Sequence, residues 1–379
     1  MKLLPLFIFW CLWFLNFSTR TILSPILPLI EDNLSLSHGE AGGLFTSLSM
    51  GYSISLLLTG RFASIWGYKR IVAAGFMGIG LVFVALQWIE TYLAFHAFFF
   101  LLGLATGTYL PTMLPIITET YDYKNWGKAI GIHDSAASLS LFTIPIIIAF
   151  SLEFLSWKKI LLILGIVSLL LLIYFWKVSV EPKPETSPQG TRYIDFFKRK
   201  AIYIMALLWI LSSASSLGVY SILPLYLVKE RGIDYYLANT LLGISRAGGI
   251  VVPILIGFLL DRYGYRRMLM LSLLTTGLST ISLSIASNLS MILVTLTLQA
   301  ILSLAFFPIG LAAVSKLTSI SERSMALGLI ISIGVMFGMG GSPFLLGVIA
   351  DHSSFKIGIL GLGVLTTLSS LSVRFLGEI

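Results

Sequence analysis

Gly60-Arg61-Phe62-Ala63-Ser64-Ile65-Trp66-Gly67-Tyr68-Lys69-Arg70 and Gly257-Phe258-Leu259-Leu260-Asp261-Arg262-Tyr263-Gly264-Tyr265-Arg266-Arg267 are two copies of one pattern, set 197 residues apart in a chain of 379. In each, two glycines are followed by a pair of basic residues. The same offset carries Ala129-Ile130-Gly131 to Ala326-Leu327-Gly328. An offset of 196 carries Ile26-Leu27-Pro28-Leu29 to Ile222-Leu223-Pro224-Leu225, and one of 198 carries Pro145 to Pro343. The second half of the chain therefore repeats the first.

The stretches between these landmarks are long and apolar. Hydrophobic residues make up 57% and charged residues 11% of the chain, and the mean hydropathy is +0.94. A soluble domain carries about 25% charged residues, so the composition is that of a polytopic membrane protein. The net charge of +8 does not point to nucleic acid, because the basic residues sort by membrane side. Cys11 is the one cysteine, which excludes an internal disulfide and a cysteine-based metal site. The apolar run after Met1-Lys2 continues to Ile30 with one interruption at Arg20 and no small-residue cleavage site. It reads as a first helix rather than a removed leader.

Charges delimit the spans. The uncharged run 268–315 is 48 residues long, about 72 Å as a helix, too long for one crossing of a hydrocarbon core of about 30 Å. It must fold as two helices turning near Ser287-Asn288. The run 247–260 reaches spanning length by extending back to about Ala238 across Arg246. The expected architecture is an all-α membrane protein, twelve transmembrane helices in two six-helix pseudo-symmetric bundles, 1–177 and 201–379. A duplicated helix bundle of this kind is the plan of a secondary transporter, whose substrate site lies between the halves. The segment 178–200 contains Pro182, Pro184 and Pro188 and reads as a polar linker. Its end, Tyr193–Lys200, reads as an interfacial lead-in to the seventh helix. With the N-terminus inside, 18 Lys and Arg fall on inner segments, 5 on outer ones, and Arg20 and Arg246 within spans. The positive-inside rule then places both termini in the cytoplasm, and the expected location is the plasma membrane.

The paired loops resemble the signature of the major facilitator superfamily after helices two and eight, G-x-x-x-D-R-x-G-x-[RK]-[RK]. The second copy carries Gly257, Asp261, Arg262, Gly264, Arg266 and Arg267. The first keeps Gly60, Gly67, Lys69 and Arg70, with Ser64 in place of the acid and Ile65 in place of the arginine. The resemblance covers the whole chain. It implies that these loops act as latches in gating, the first weaker than the second. The arginine that the family carries in helix four is replaced by Phe99. The drug-exporter signature of helix five is degraded to Gly131-Ile132-His133-Asp134-Ser135-Ala136-Ala137-Ser138. Both departures argue against a drug/proton antiporter.

Ionisable residues inside the membrane mark functional sites, because each costs about 2.5–3.5 kcal/mol or more to place there. Arg20 lies eleven residues before Glu31, about 16 Å below the outer end of its helix, in a polar stripe with Asn16 and Ser24. Arg246 lies at comparable depth in the other half, followed by Gly248-Gly249. Two guanidiniums facing one cavity repel unless an anion bridges them, and guanidinium pairs with carboxylate or phosphate in a two-pronged fashion. The competing reading is that each arginine pairs with a helix carbonyl or with Asp134. Asp134 itself reads as a proton-coupling acid or a salt-bridge partner. His133 reads as a structural residue, and Glu119 and Asp122 as an interfacial charge cluster. Softer candidates are the stripe Ser212, Ser216 and Tyr220, the stripe Thr295, Gln299 and Ser303, and Tyr109 with Thr112. Such stripes also serve as packing contacts between membrane helices. Gly103, Gly107, Pro111 and Pro115 read as close-packing and bending positions.

The expected substrate-binding set is Arg20, Arg246, Asn16, Tyr220 and Gln299, with Asp134 for coupling and Gly60, Gly67, Arg70, Gly257, Asp261, Arg262, Gly264 and Arg266 for gating. No cofactor, metal or nucleic acid is called for; the expected partners are a small solute, protons and the bilayer, with the protein a monomer. The leading function is proton-coupled transport of a small organic anion. The alternative is a multidrug or amphiphile antiporter on the same fold. An enzyme or receptor is disfavoured, since no HExxH, P-loop or serine triad sits in an extramembrane domain.

Overall fold

The computed structural model describes residues 2–182 and 199–376, without side-chain detail at Ile250, Pro253, Ile254, Gly257, Asp261, Ile320, Ser321 and Ser324. Most of the linker 178–200, with its expected lead-in, lies outside those residues. Every regular element among the described residues is helical. Eleven helices among them are long and apolar enough to cross a membrane. They are α1 (Leu3–Leu34), α2 (His38–Trp66), α3 (Tyr68–Trp88), α4 (Tyr92–Thr120), α5 (Tyr123–Ser151), α6 (Trp157–Val178), α7 (Lys200–Glu230), α9 (Tyr265–Ile285), α10 (Leu289–Leu317), α11 (Met325–His352) and α12 (Phe355–Leu376). Between α7 and α9 lies α8, built from Tyr235–Ser245, a 3-10 turn Ala247–Ile250 and Val252–Tyr263. The 48-residue run divides where its length requires, with Asn288 accepting a hydrogen bond from the Met291 N–H at the start of α10.

Proline sets the interruptions, because it cannot donate to the carbonyl four residues back. In α4 the break falls at Thr108, between Tyr92–Gly107 and Tyr109–Thr120, beside Pro111. In α10 it falls at Ala305, between Leu289–Leu304 and Phe306–Leu317, beside Pro308. These two breaks are 197 residues apart, so the sequence repeat is also a repeat of backbone defects. Helix α1 is interrupted at Ile22, three residues before Pro25. Helix α8 is interrupted at Arg246, ahead of Gly248-Gly249 and Pro253. Both intramembrane arginines therefore stand at the end of a half-helix, where the carbonyl end of the dipole favours a cation. Broken helices at this depth are where transporters hold their ligands.

Packing divides the chain into two compact units. The first comprises Met1–Ser35, Ser47–Thr186 and Tyr235–Gly243; the second comprises Leu36–Thr46, Ser187–Asp234 and Ile244–Ile379. In the first, α2 and α4 are drawn together by glycine: a methyl group on Gly103 would collide with the Leu48 carbonyl. Its aromatic core includes Phe9 edge-on to Phe175, with ring centroids 6.4 Å apart. The second is centred on Trp209 and Phe306, 5.5 Å apart and edge-on. There the first turn of α2 is capped from α11, with the His38 and Gly39 N–H groups donating to the Asp351 carboxylate at 2.8 and 2.9 Å.

Candidate functional site: two buried arginines

In the first unit, α1 presents Asn16 and Arg20 one turn apart. Arg20 is 6% exposed. Its guanidinium lies 4.4 Å from the ring of Tyr52 on α2, 4.8 Å from Phe17 and 5.9 Å from Trp13. Cation–π attraction supports the charge, yet Nε and Nη2 have no hydrogen-bond partner. Asn16 donates Nδ2–H to the Thr106 carbonyl at 3.1 Å, and its Oδ1 accepts nothing. Below this group, Trp13 stacks on Tyr109 at 5.2 Å and on His133 at 5.8 Å. The Tyr109 hydroxyl donates to the Phe9 carbonyl at 3.0 Å and lies 3.0 Å from His133 Nε2. Tyr109 and His133 are thus fixed structural contacts. Asp134, the next residue along α5, is exposed, as are Glu119 and Asp122 at the end of α4. Thr112 spends its hydroxyl on its own helix, donating to the Thr108 carbonyl at 2.7 Å.

In the second unit, Arg246 is 1% exposed and is among the largest fully buried side chains. Its guanidinium lies 5.0 Å from the ring of Tyr220 on α7. None of Nε, Nη1 and Nη2 has a hydrogen-bond partner. Gly248 and Gly249 let the α8 break lie against α10, since a methyl there would stand 2.7 Å from Ile301 and 2.9 Å from Leu304 side-chain atoms. On α10, Gln299 donates Nε2–H to the Ser215 carbonyl, which belongs to a π-helical turn at Ala214–Gly218. Gln299 Oε1 and Ser212 Oγ are buried without partners. Ser303 donates to Ser216 at 3.3 Å, while Thr295 donates into its own helix at 2.7 Å. Neither arginine forms an ion pair with an acid among the described residues. A buried guanidinium without an acceptor carries a large desolvation cost, so each unit holds a cationic donor group that a ligand can complete.

At the two glycine-and-basic loops the structure adds a residue that the motif does not contain. Gly67 (φ 95°) and Gly264 (φ 77°) both occupy the left-handed region that glycine alone adopts freely. Gly60, by contrast, faces open space and brings nothing close. In the first loop Ser64 donates only to the Arg61 carbonyl of its own helix, at 2.8 Å. The acid is supplied instead by Glu181, just past α6. Its carboxylate accepts from the N–H groups of Tyr68 at 2.5 Å and Lys69 at 3.2 Å. Lys69 Nζ donates to the carbonyls of Trp176 at 3.3 Å and Ser179 at 2.9 Å, and Arg70 is exposed. In the second loop Arg266 donates to the Arg374 carbonyl at 2.8 Å, and Arg262 lies 5.4 Å from the Tyr263 ring. The side chain of Asp261 and the surroundings of Gly257 fall outside the description. Glu181 could have been found in the sequence only as an acid directly after the sixth span.

A cavity of about 480 Å³ opens between α3 and α6, lined by Ala73, Ala74, Met77, Leu172 and Ile173 with Arg70 and Trp176. It is alkyl-lined and contains none of the residues expected from the sequence to bind substrate.

The model of the Major Facilitator Superfamily matches residues 9–259 and 222–378. The chain belongs to that family, whose members are multi-pass integral membrane transporters and not enzymes. It is 25% identical over 287 residues to the probable sulfoacetate transporter SauU of Cupriavidus necator, covering 68% of this chain and 64% of that one. It is 24% identical over 258 residues to the hexuronate transporter of Bacillus subtilis, covering 65% and 59%. The chain thus spans less than two thirds of the length of either relative. The fold matches that of the nucleoside transporter NupG with a TM-score of 0.82 at 16% identity, over 100% of this chain and 100% of that one.

Proposed function

We propose that this protein carries a small organic anion across the plasma membrane by alternating access, coupled to protons through Asp134, with both termini in the cytoplasm. The observation that carries the reading is Arg246: a guanidinium 1% exposed whose three nitrogens all lack a hydrogen-bond partner. Arg20 supports it from the first unit, with two unpartnered nitrogens. Donors without acceptors, at positive charge, fit a ligand that brings acceptors at negative charge. The similar proteins, the probable sulfoacetate transporter SauU and the hexuronate transporter, both take organic acids, in keeping with this. An amphiphile exporter needs no such pair of cations.

The test is ligand-dependent thermal stabilisation and calorimetric binding of the purified protein, with sulfoacetate and D-glucuronate as first probes within a panel of carboxylates, sulfonates and phosphates. An acid that stabilises the wild type should lose affinity in Arg246→Ala by about 2–5 kcal/mol, roughly 30-fold or more. The fold should persist, because removing an intramembrane charge eases insertion. If Arg246→Ala and Arg20→Ala stay monodisperse and bind the acid as the wild type does, the anion reading is wrong and the exporter reading replaces it.

A further inference from the structure

Each unit buries, in addition to its arginine, a carboxamide that is half used. Asn16 is 1% exposed and Gln299 0%. In each the NH2 group is committed to a backbone carbonyl, Thr106 for Asn16 and Ser215 for Gln299. Turning either amide over would set oxygen against oxygen, so these partners fix its orientation. The consequence is that Asn16 Oδ1 and Gln299 Oε1 are buried acceptors with no donor. In the first unit the Arg20 guanidinium, one turn from Asn16, is a donor and could have served. It does not: Arg20 lies over the Tyr52 and Phe17 rings instead of on the amide one turn away.

We infer that the transported anion is hydroxylated. Resting on the anion reading above, the acid group goes to a guanidinium, and a hydroxyl group of the same substrate donates to the unpaired amide oxygen of the same unit, Asn16 Oδ1 in the first or Gln299 Oε1 in the second. The two sets of unpaired groups differ in sign. Arg20 and Arg246 offer N–H groups and ask for acceptors, which a carboxylate supplies. The amide oxygens ask for donors, which an ionised carboxylate cannot supply. A simple alkyl or aryl acid would satisfy the first and bury the second unpaired. An unpaired buried carbonyl costs about fivefold to a hundredfold in affinity. Sites built to receive a substrate hydroxyl reject the analogue that lacks it for this reason. Ser212 Oγ, also buried and unpartnered, adds a group that can both donate and accept on the α7 side. The substrate class indicated is a polyhydroxy or hydroxy acid.

The experiment uses matched acids differing only in hydroxyl groups: D-glucuronate against tetrahydropyran-2-carboxylate, glycerate against propionate, and 3,4,5-trihydroxybenzoate against benzoate. Binding to the purified full-length protein is measured by calorimetry and thermal shift. In the wild type the hydroxylated member of at least one pair should bind tenfold or more tightly than its partner. Asn16→Leu and Gln299→Met, which keep volume but remove the amide, should each bring that ratio towards one. A ratio near one in the wild type for every pair that binds overturns the inference, whatever the variants do. So does a ratio unchanged in both variants. In either case the anion reading stands. Silence from all six acids and from the wider panel of acids would overturn the anion reading and this inference with it.

Discussion

The two halves build the same pair of residues from opposite helices. In the first, α1 gives the arginine and α2 the tyrosine: Arg20 lies 4.4 Å from the ring of Tyr52. In the second, α7 gives the tyrosine and α8 the arginine: Arg246 lies 5.0 Å from the ring of Tyr220. The repeat offset of 197 sends Arg20 to Leu217 and Arg246 to Ser49, so neither arginine has a basic counterpart. What the duplication carries over is the helix pair and the α4 and α10 breaks. The side chains that hold a charge are individual to each half. The acid follows the same rule, since Asp134 corresponds to Ile331. The scaffold is the repeated part of this molecule, and the two buried arginines and Asp134 stand where the copies differ.

If coupling belongs to one half alone, removing its acid should have an all-or-none effect. Asp134→Asn is expected to abolish uphill accumulation of substrate driven by a pH gradient in proteoliposomes. Counterflow exchange should continue if the carboxylate carries the proton and not the cargo. Normal uphill uptake in the variant would remove Asp134 from the mechanism and direct attention to Glu119 and Asp122.

The arginines should differ in how they tolerate lysine. Arg246 has three unpartnered nitrogens and one supporting ring. Arg20 has two unpartnered nitrogens and three rings. Lysine restores charge and cation–π attraction but not the planar fork. Arg246→Lys is therefore expected to lose most of the affinity that Arg246→Ala loses, about 2 kcal/mol or more. Arg20→Lys should retain more, losing about 1 kcal/mol. Equal losses, read by calorimetry on the same acid, would show that the two environments are equivalent in use.

Hydrophobic run length, loop charge and the 197-residue echo made the helices legible in the sequence. The doubled run 268–315 had to be two helices on length alone. Arg20, Arg246, Asn16 and Gln299 could be picked out as polar groups in apolar runs. Sequence could not show that the amide NH2 groups are used and their oxygens are not. That depends on which carbonyls the α4 break and the α7 π-turn bring near. It also could not separate Tyr109 from Tyr220 as cavity candidates. One hydroxyl bonds to the Phe9 carbonyl and His133, while the other ring lies beneath a guanidinium. The loop motif was silent in one respect. The missing acid at Ser64 implied a weaker latch, and the motif does not contain the carboxylate of Glu181 that occupies the N-terminus of α3.

Glu181 gives the smallest and most local test of the comparison between halves. Its two contacts to the Tyr68 and Lys69 N–H groups satisfy donors that a helix start otherwise leaves open. A carboxylate at that end of the dipole is worth about 0.3–1 kcal/mol when exposed, and it is screened by salt. Glu181→Gln is thus expected to lower the thermal midpoint of the purified protein slightly, with the gap shrinking as ionic strength rises. Ser64→Ala should change nothing, since its hydroxyl bonds only within its own helix. In the second half the acid lies within the motif, so Asp261→Asn should impair transport where Ser64→Ala does not. If Glu181→Gln and Ser64→Ala match the wild type in midpoint at low salt, the first loop is held by its glycine turn and Lys69 alone. The two latches would then differ in strength and not merely in where their acid comes from.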